Sequence, residues 1–529
     1  MSNPSPLPSY ISEATPNPLA NRAPWYKNTA PTYAGIFLWF VFWQDAVSAP
    51  NHGGLLSCGI GWALLCLVIA ALVCHFLFYL VPGMLGMKTG LPLYLVGTSL
   101  FGAQGGFILP GFLMGVLQFG WLGVNVYFSS MMLGEFFGLA ATGVGVKVIM
   151  VVWGVLAAFV GLKGIQYVAK VATYLPLIPL TILLLLLVKT ASGIGSFDPA
   201  AFVTMSDKAT PAAPAALSNF GVLAVMLTFV VGFFATAGAA GVDFGTGSRD
   251  KKDVSLGGLV GVTLAITLTA GIAILIVGGT YGSKELSGNV TKLADAAIVK
   301  TVAKEVANAT DAAAKTGTKL TPEEIAKVKA KVTAETTLKT QQEMLQTPKL
   351  MPAIVGEKLA KILMFLLAVS AFPSACFSSF IAANSFKTTL PKVNPFISVG
   401  IGAAVSILLA VTALAGEAII VFNIIGASFG PILGAMLVEY LINGRKWSGP
   451  RAGFNPAGWV AWALGFVVGI LPILHEKVSA QFPDMPAAPV AAFLVGAAVY
   501  FALAKLGMQS PLVPLSGPLA EATKDSLPQ

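Results

Sequence analysis

The sequence predicts an all-α, polytopic membrane protein of about twelve transmembrane helices. Three observations carry that expectation. The chain is 56% hydrophobic and only 10% charged, with a mean hydropathy of +0.80, and so little charge cannot cover a water-soluble fold of 529 residues. Apolar stretches of about 20 residues, the length that crosses a bilayer core, recur from end to end. With the N-terminus placed inside, Lys88, Lys163, Arg249, Lys251, Lys252, Lys387, Lys392, Arg445, Lys446 and Arg451 all fall in inner loops, and the short outer loops receive almost none. An even number of spans then puts both termini in the cytoplasm and the chain in the cell membrane.

Residues 1–30 ("NPSPLPSY", "ATPNPLANRAP") are polar and Pro-rich and lack the early apolar core of a signal peptide, which predicts a disordered cytoplasmic arm. Spans follow at about 31–50, 56–82, 103–132, 143–162, 168–189, 217–243 and 255–280, so that residues 31–280 hold spans 1 to 7. The interval 281–352 breaks the pattern, being rich in Ala, Lys, Thr and Glu. Within it "TPEEIAKVKAKV" reads as a helix start, with Thr321 as N-cap, Pro322 in the first turn and Glu324 closing a capping box; "DAAIVKTVAKEV" reads as a second amphipathic helix. A solvated, extracytoplasmic helical insertion is therefore expected, since long loops translocate largely regardless of charge. Spans 8 to 12 are predicted at about 353–386, 394–414, 417–442, 456–474 and 487–506, and residues 507–529 form a cytoplasmic tail.

Polar groups inside these spans are the candidates for chemistry. In "GVLQFGWLGVNVYF" Gln118, Trp121 and Asn125 step i, i+3, i+7 and share one helical stripe, which must face protein, water or a ligand because an amide facing lipid stays unpaired. Asp45 lies in "WFVFWQDAVSAPNHGG"; Asp243 and Glu439 stand near basic loops and read as structural caps or ion pairs. The Pro50 region of span 1 and the small-residue run "GFFATAGAAG" of span 6 read as helix interruptions, and interruptions at corresponding places in two halves point to a secondary transporter's binding site. His52, His75 and His475 are scattered without HExxH or GxSxG, and Cys58, Cys66, Cys74 and Cys376 lack CxxC spacing, so neither catalytic residues nor a metal site are expected and the chain does not read as an enzyme. No repeated filter or charged ring suggests a channel. The net charge of +9 reads as topology and anionic-lipid contact, not nucleic-acid binding.

"MKTGLPLYLVGTSLFGAQGGFILPGFLMGVLQFGWLGVNV" resembles the span 2 to span 3 region of the purine–cytosine permease branch of the nucleobase–cation symporter family. "VVGFFATAGAAGVDF", "GASFGPILGAMLVEYLINGRKW" and "GWVAWALGFVVGI" resemble its spans 6, 10 and 11. The resemblance implies a leucine-transporter-like fold, two inverted five-helix repeats plus two further helices, and cation- or proton-coupled import of a nucleobase or related planar heterocycle. It implies that Trp121 stacks one face of the substrate, Phe234 covers the other, and Gln118 bonds the ring edge; stacking on an aromatic is worth about 1–3 kcal/mol per base. Span 8 departs from the family pattern: in "LLAVSAFPSACFSSF" Ser370 stands where the family has an Asn, and Pro373 and Ser374 stand where it has two hydroxyls. Asp45 and Ser374 are then the candidate coupling residues, for Na+ or H+, with no other cofactor. The alternative is an amino-acid or other small-amine transporter of the same fold, with Asp45 holding the ammonium.

Overall fold

The computed structural model describes residues 7–163, 174–211, 213–315, 321–390, 392–515 and 519–520. Its regular structure is helical, apart from two isolated β-bridges, Ala23 with Ser248 and Arg451 with Leu512. Among the described residues ten helices are long and apolar enough to cross a membrane. They are span 2 (Ile60–Thr89), span 3 (Phe107–Phe136), span 4 (Val144–Lys163), span 5 (Leu177–Ile194), span 6 (Asn219–Ala239), span 7 (Lys251–Gly282), span 8 (Glu357–Thr389), span 10 (Ala418–Ile442), span 11 (Pro456–Lys477) and span 12 (Ala488–Lys505). Span 9, Pro395–Val411, is apolar but shorter, and span 1 is split into Thr29–Leu38 and Phe40–Trp43. The first residues expected in span 5, 168–173, lie outside the described residues.

Spans five apart in sequence pack on one another: 3 on 8, 2 on 7, and 4 on 9. Spans 10, 11 and 12 form a second group. Where backbones touch, glycine is required. A Cβ on Gly86 of span 2 would lie 1.9 Å from the Val242 carbonyl, and one on Gly245 would lie 2.3 Å from the Gly83 carbonyl. The glycines after span 6 therefore serve close helix contact.

The interruption of span 1 is a correction to the sequence reading. The chain leaves the helix at Trp39 (φ −62°, ψ 123°) with no Gly or Pro there, and the second helical turn ends at Trp43, well before Pro50. Trp43 Nε1 donates to the freed Leu38 carbonyl at 3.1 Å, so one carbonyl released by the break is satisfied within the same span. Span 6 runs unbroken to Ala239 and resumes as Gly241–Gly245.

The N-terminal arm also differs from expectation, for residues 7–28 are docked rather than free. Arg22 donates to the carbonyls of Met87 (2.6 Å) and Ser248 (3.3 Å), Asn17 Nδ2 to Thr246, and Asn28 Nδ2 to Phe244. The Trp25 N–H reaches the Asp253 carboxylate at 3.0 Å, and Tyr10 Oη reaches the Ala103 carbonyl at 2.5 Å. The arm supplies donors to loop carbonyls that the membrane helices leave open, which is why a polar, Pro-rich segment settles there. The C-terminal segment lies on the same face: Val513 N donates to Pro450 O, and Ala452 N to Pro511 O. We call this the terminal face.

At the opposite face the insertion is a hairpin of helices Lys284–Lys315 and Pro322–Glu343, followed by Thr347–Val355. The capping box forms as read: the Glu324 N–H donates to Thr321 Oγ1 and the Thr321 N–H to Glu324 Oε2. The bonds that the Thr321 N–H and hydroxyl donate to the carboxylate hold Glu324 below its ordinary range. The hairpin is tied at its base, with Tyr281 Oη on Met344 O (2.9 Å), and Thr210 Oγ1 hydrogen-bonded to Gln341 Oε1. Beneath it lies a cavity of about 350 Å³, walled by Ala49–Asn51, the helix Pro199–Ala209, Tyr281 and the hairpin. Trypsin added to sealed, right-side-out vesicles is expected to cut at the exposed Lys304, Lys327 and Lys329, detected as two membrane-bound fragments. Full protection would reverse the orientation.

Candidate functional site

The stripe predicted on span 3 is buried inside the helical bundle: Gln118, Trp121 and Asn125 are 7%, 8% and 1% exposed. The three side chains do different things. Trp121 Nε1 donates to Thr236 Oγ1 of span 6 at 3.1 Å, which fixes the plane of its ring. Around it stand Phe233 (ring centroids 4.9 Å apart, 73° between planes), Phe422 of span 10 (5.5 Å, 35°) and Trp39 at the span 1 break (5.8 Å, 62°). Span 1 is thus broken where its aromatic side chain enters this cluster. Phe42, on the short helix after the break, packs on Phe233 at 4.7 Å and extends the aromatic wall.

Phe234 is not the ring that faces Trp121. It is fully buried against Tyr33 (5.7 Å) and Phe37 (5.8 Å, 27°) of span 1, while its neighbour Phe233 meets Trp121. One residue along a helix is a rotation of about 100°, so only one of two adjacent phenylalanines can face a given partner. Of the two rings, the one that meets Trp121 is Phe233, not Phe234 as the resemblance implied.

Asn125 is committed to packing. Its Nδ2 donates to the Ala371 carbonyl of span 8 at 2.9 Å, and its Oδ1 accepts from Trp153 Nε1 of span 4 (3.1 Å) and from Ser129 Oγ (3.3 Å). This amide joins spans 3, 4 and 8. Gln118 is freer: its Nε2 donates to the thioether sulfur of Met114 at 3.6 Å, and sulfur is a weak acceptor. Trp39 Nε1 is buried and has no acceptor among the described residues, a costly state for an indole N–H. Trp39, Phe233, Thr236 and Phe422 were not singled out in the sequence. Aromatic residues are too common in these spans for composition to mark the ones that converge.

Ser370 Oγ turns back to its own helix, donating to Leu367 O at 2.7 Å, and Ser374 O accepts from Ser378 Oγ at 3.2 Å. Asp45 lies beyond the span 1 break, in the turn after Trp43, toward the hairpin face. Its Oδ1 accepts from Gln346 Nε2 at 2.7 Å and its Oδ2 from Gln44 Nε2 at 3.3 Å, while Thr347 N donates to Gln44 O. The carboxylate therefore bonds the base of the insertion rather than span 8, and the structure does not bring it to Ser374 through any of these bonds. Asp243 and Glu439 take the structural roles expected. Asp243 Oδ1 accepts from the Leu93 N–H at 3.1 Å, and Glu439 pairs with Arg451 at 3.0 Å. Among the described residues no group of three or more His, Cys, Asp or Glu side chains could hold a metal ion.

An aromatic cluster at the meeting of a broken span 1 with spans 3, 6 and 10 can take a flat ring between its faces and offer amide or indole donors to the ring edge. Known proteins share the helical fold. The structure is similar to that of Mhp1, a nucleobase-cation-symport-1 family transporter, in a closed conformation with bromovinylhydantoin bound: TM-score 0.58 and 13% identity, covering 97% of this chain and 98% of that one. Inward-facing Mhp1 gives 0.55 at 15% identity, over 98% and 99% of the two chains. A Na+-coupled sialic acid symporter in a substrate-bound, outward-open state gives 0.52 at 11%, over 96% and 93%. At such identities the fold is what is shared.

In sequence, the cytosine permease of Escherichia coli O157:H7 is 30% identical over 189 residues, 35% of this chain and 40% of that protein; the strain K12 protein is 29% identical over the same length. The match thus spans about two fifths of the length of these curated relatives. The profile of the permeases for cytosine/purines, uracil, thiamine and allantoin matches residues 18–296, more than half of the chain. The chain belongs to that permease family.

Proposed function

We propose that the protein is a secondary active symporter that imports a nucleobase or a related planar heterocycle by alternating access, with both termini in the cytoplasm. The observation that carries this reading is the Trp121 cluster at the junction of spans 1, 3, 6 and 10, in a chain of this permease family. Trp121 and Phe233 supply the two aromatic faces, Gln118 the edge amide, and Trp39 Nε1 a donor for a carbonyl or ring nitrogen. Asn125, through its bonds to Ala371 and Trp153, holds spans 3, 4 and 8 around them, while Ser370 bonds within its own helix. Trp121 is 8% exposed, so the rings close on one another and part to admit substrate. Such a cycle is supported by family relatives of this fold in closed and inward-facing conformations.

Coupling requires a group whose occupancy favours one conformation, and its strength is limited by the difference in affinity between states. Asp45 is the candidate. Its bond to Gln346 ties the outer end of span 1 to the insertion, and loading a proton or Na+ on the carboxylate would weaken that tie. Ser374 remains a candidate oxygen for Na+ on span 8. The small-amine alternative has less support, because the chain belongs to a family of permeases for cytosine/purines, uracil, thiamine and allantoin.

Uptake into proteoliposomes of radiolabelled nucleobases, hydantoins and amino acids, under imposed Na+ or H+ gradients, tests the reading. One planar heterocycle is expected to accumulate against its gradient. Accumulation of an amino acid instead would reverse the assignment. Asp45→Asn keeps the shape and removes the charge. It is expected to abolish accumulation while leaving heterocycle exchange measurable, and undiminished accumulation would make Asp45 a purely structural tie.

A further inference from the structure

Basic residues on the terminal face fall into two groups. Arg249 is paired with Asp253 at 2.7 Å, and Arg451 with Glu439 at 3.0 Å. Lys88, Lys251, Arg445 and Lys446 have no carboxylate within ion-pair distance among the described residues, yet three separate elements bring them together. Lys88 stands in the last turn of span 2, Lys251 begins span 7, and Arg445 and Lys446 follow span 10. The charges of Lys446, Lys251 and Arg445 all bear on Lys88. The Lys88 ammonium donates to the Arg445 carbonyl at 2.5 Å and lies over the Tyr440 ring, 5.3 Å from its centroid. Arg445 holds a left-handed backbone (φ 62°), uncommon for a side chain of its size, directly after Gly444 (φ 65°).

Membrane topology asks for Lys and Arg anywhere along these loops. It does not ask that Lys251, Arg445 and Lys446 stand close enough for their charges to bear on Lys88, with no ion pair among the described residues to offset them. That arrangement is stable when an anion sits among them. The flank indicates its source, since Leu441 and Ile442, just before the basic loop, are 52% and 40% exposed and leave the end of span 10 apolar and uncovered. An anion here lies where acyl chains meet headgroups.

We propose that Lys88, Lys251, Arg445 and Lys446 form a binding site for a phosphate-bearing anion, filled by the headgroup of an anionic phospholipid in the leaflet at the terminal face. The Lys88 ammonium and the Arg445 guanidinium contact the phosphate oxygens, and the exposed end of span 10 receives the acyl chains. The site lies apart from the aromatic cluster and does not depend on the substrate.

Thermal unfolding of the full-length protein in neutral detergent tests this. Phosphatidylglycerol is expected to raise Tm by about 4 °C, with phosphatidylcholine at the same mole ratio and inorganic phosphate at matched ionic strength giving no such shift. Lys88→Gln combined with Lys446→Gln is expected to lose the shift. Lys387→Gln with Lys392→Gln, an equal loss of charge elsewhere in the predicted inner loops, is expected to keep it. If the first pair fails to fold, Lys446→Gln alone, in the loop after span 10, is expected to cut the shift by about half. A full shift in the Lys88/Lys446 variant, or an equal shift with phosphatidylcholine, would overturn the site. An equal shift with inorganic phosphate alone would overturn the lipid as its source.

Discussion

Alanine in place of Trp121 is expected to abolish concentrative uptake and to weaken binding of the planar heterocycle by roughly 5- to 150-fold, the equivalent of about 1–3 kcal/mol of ring stacking. The indole contributes more than its face. Its N–H bond to Thr236 holds span 3 to span 6, so removing it also loosens the site. Phe233→Ala is expected to give a loss of similar order, because that ring meets Trp121 at 4.9 Å. Phe234→Ala, whose ring packs on Tyr33 and Phe37, should lower stability more than affinity. Equilibrium binding of labelled heterocycle to detergent-purified variants, with Tm measured in parallel, separates these effects. Unchanged affinity in Trp121→Ala would remove the aromatic cluster as the substrate site.

Loss of Arg451 should be the most destabilising single change outside that cluster. Its guanidinium joins the Glu439 carboxylate (3.0 Å) to the carbonyls of Ser99 (3.0 Å) and Ser510 (2.9 Å). Glu439 also accepts from Ser448 Oγ at 2.6 Å, Tyr500 Oη at 2.9 Å and Gln509 Nε2 at 3.2 Å. Arg451 and Glu439 are 6% and 3% exposed. Arg451→Met leaves a buried carboxylate without its cation and is expected to cost about 3–5 kcal/mol, read as a large fall in Tm in detergent. Adding Glu439→Gln removes the stranded charge and should recover much of the loss. A fall of under about 1 kcal/mol in the single variant would mean that water already reaches the pair.

Span positions were readable because lipid imposes a length and an apolar composition on each helix: span 10, expected at about 417–442, forms over Ala418–Ile442. The capping box at Thr321 was readable because its bonds are local. Three features were not. The break at Trp39 has no Gly or Pro to announce it, and it follows from where the indole must go rather than from the backbone preferences of "IFLWFVFW". The register of span 6 hung on two adjacent phenylalanines, and only the path of span 1 decides which of them meets Trp121. Asn125 belonged to the right stripe, but its partners Ala371 and Trp153 lie 246 and 28 residues away.

The docked N-terminal arm sets a schedule for making the protein. Residues 7–28 leave the ribosome well before their partners, which lie at Met87–Ala103 and Phe244–Asp253. The arm must therefore wait, undocked, until the start of span 7 has been translated, and it fastens only when both loops are present. A chain stalled before residue 253 would expose this arm to protease, whereas the finished protein shields it. The arm thereby records whether the first six spans and the start of the seventh have come together.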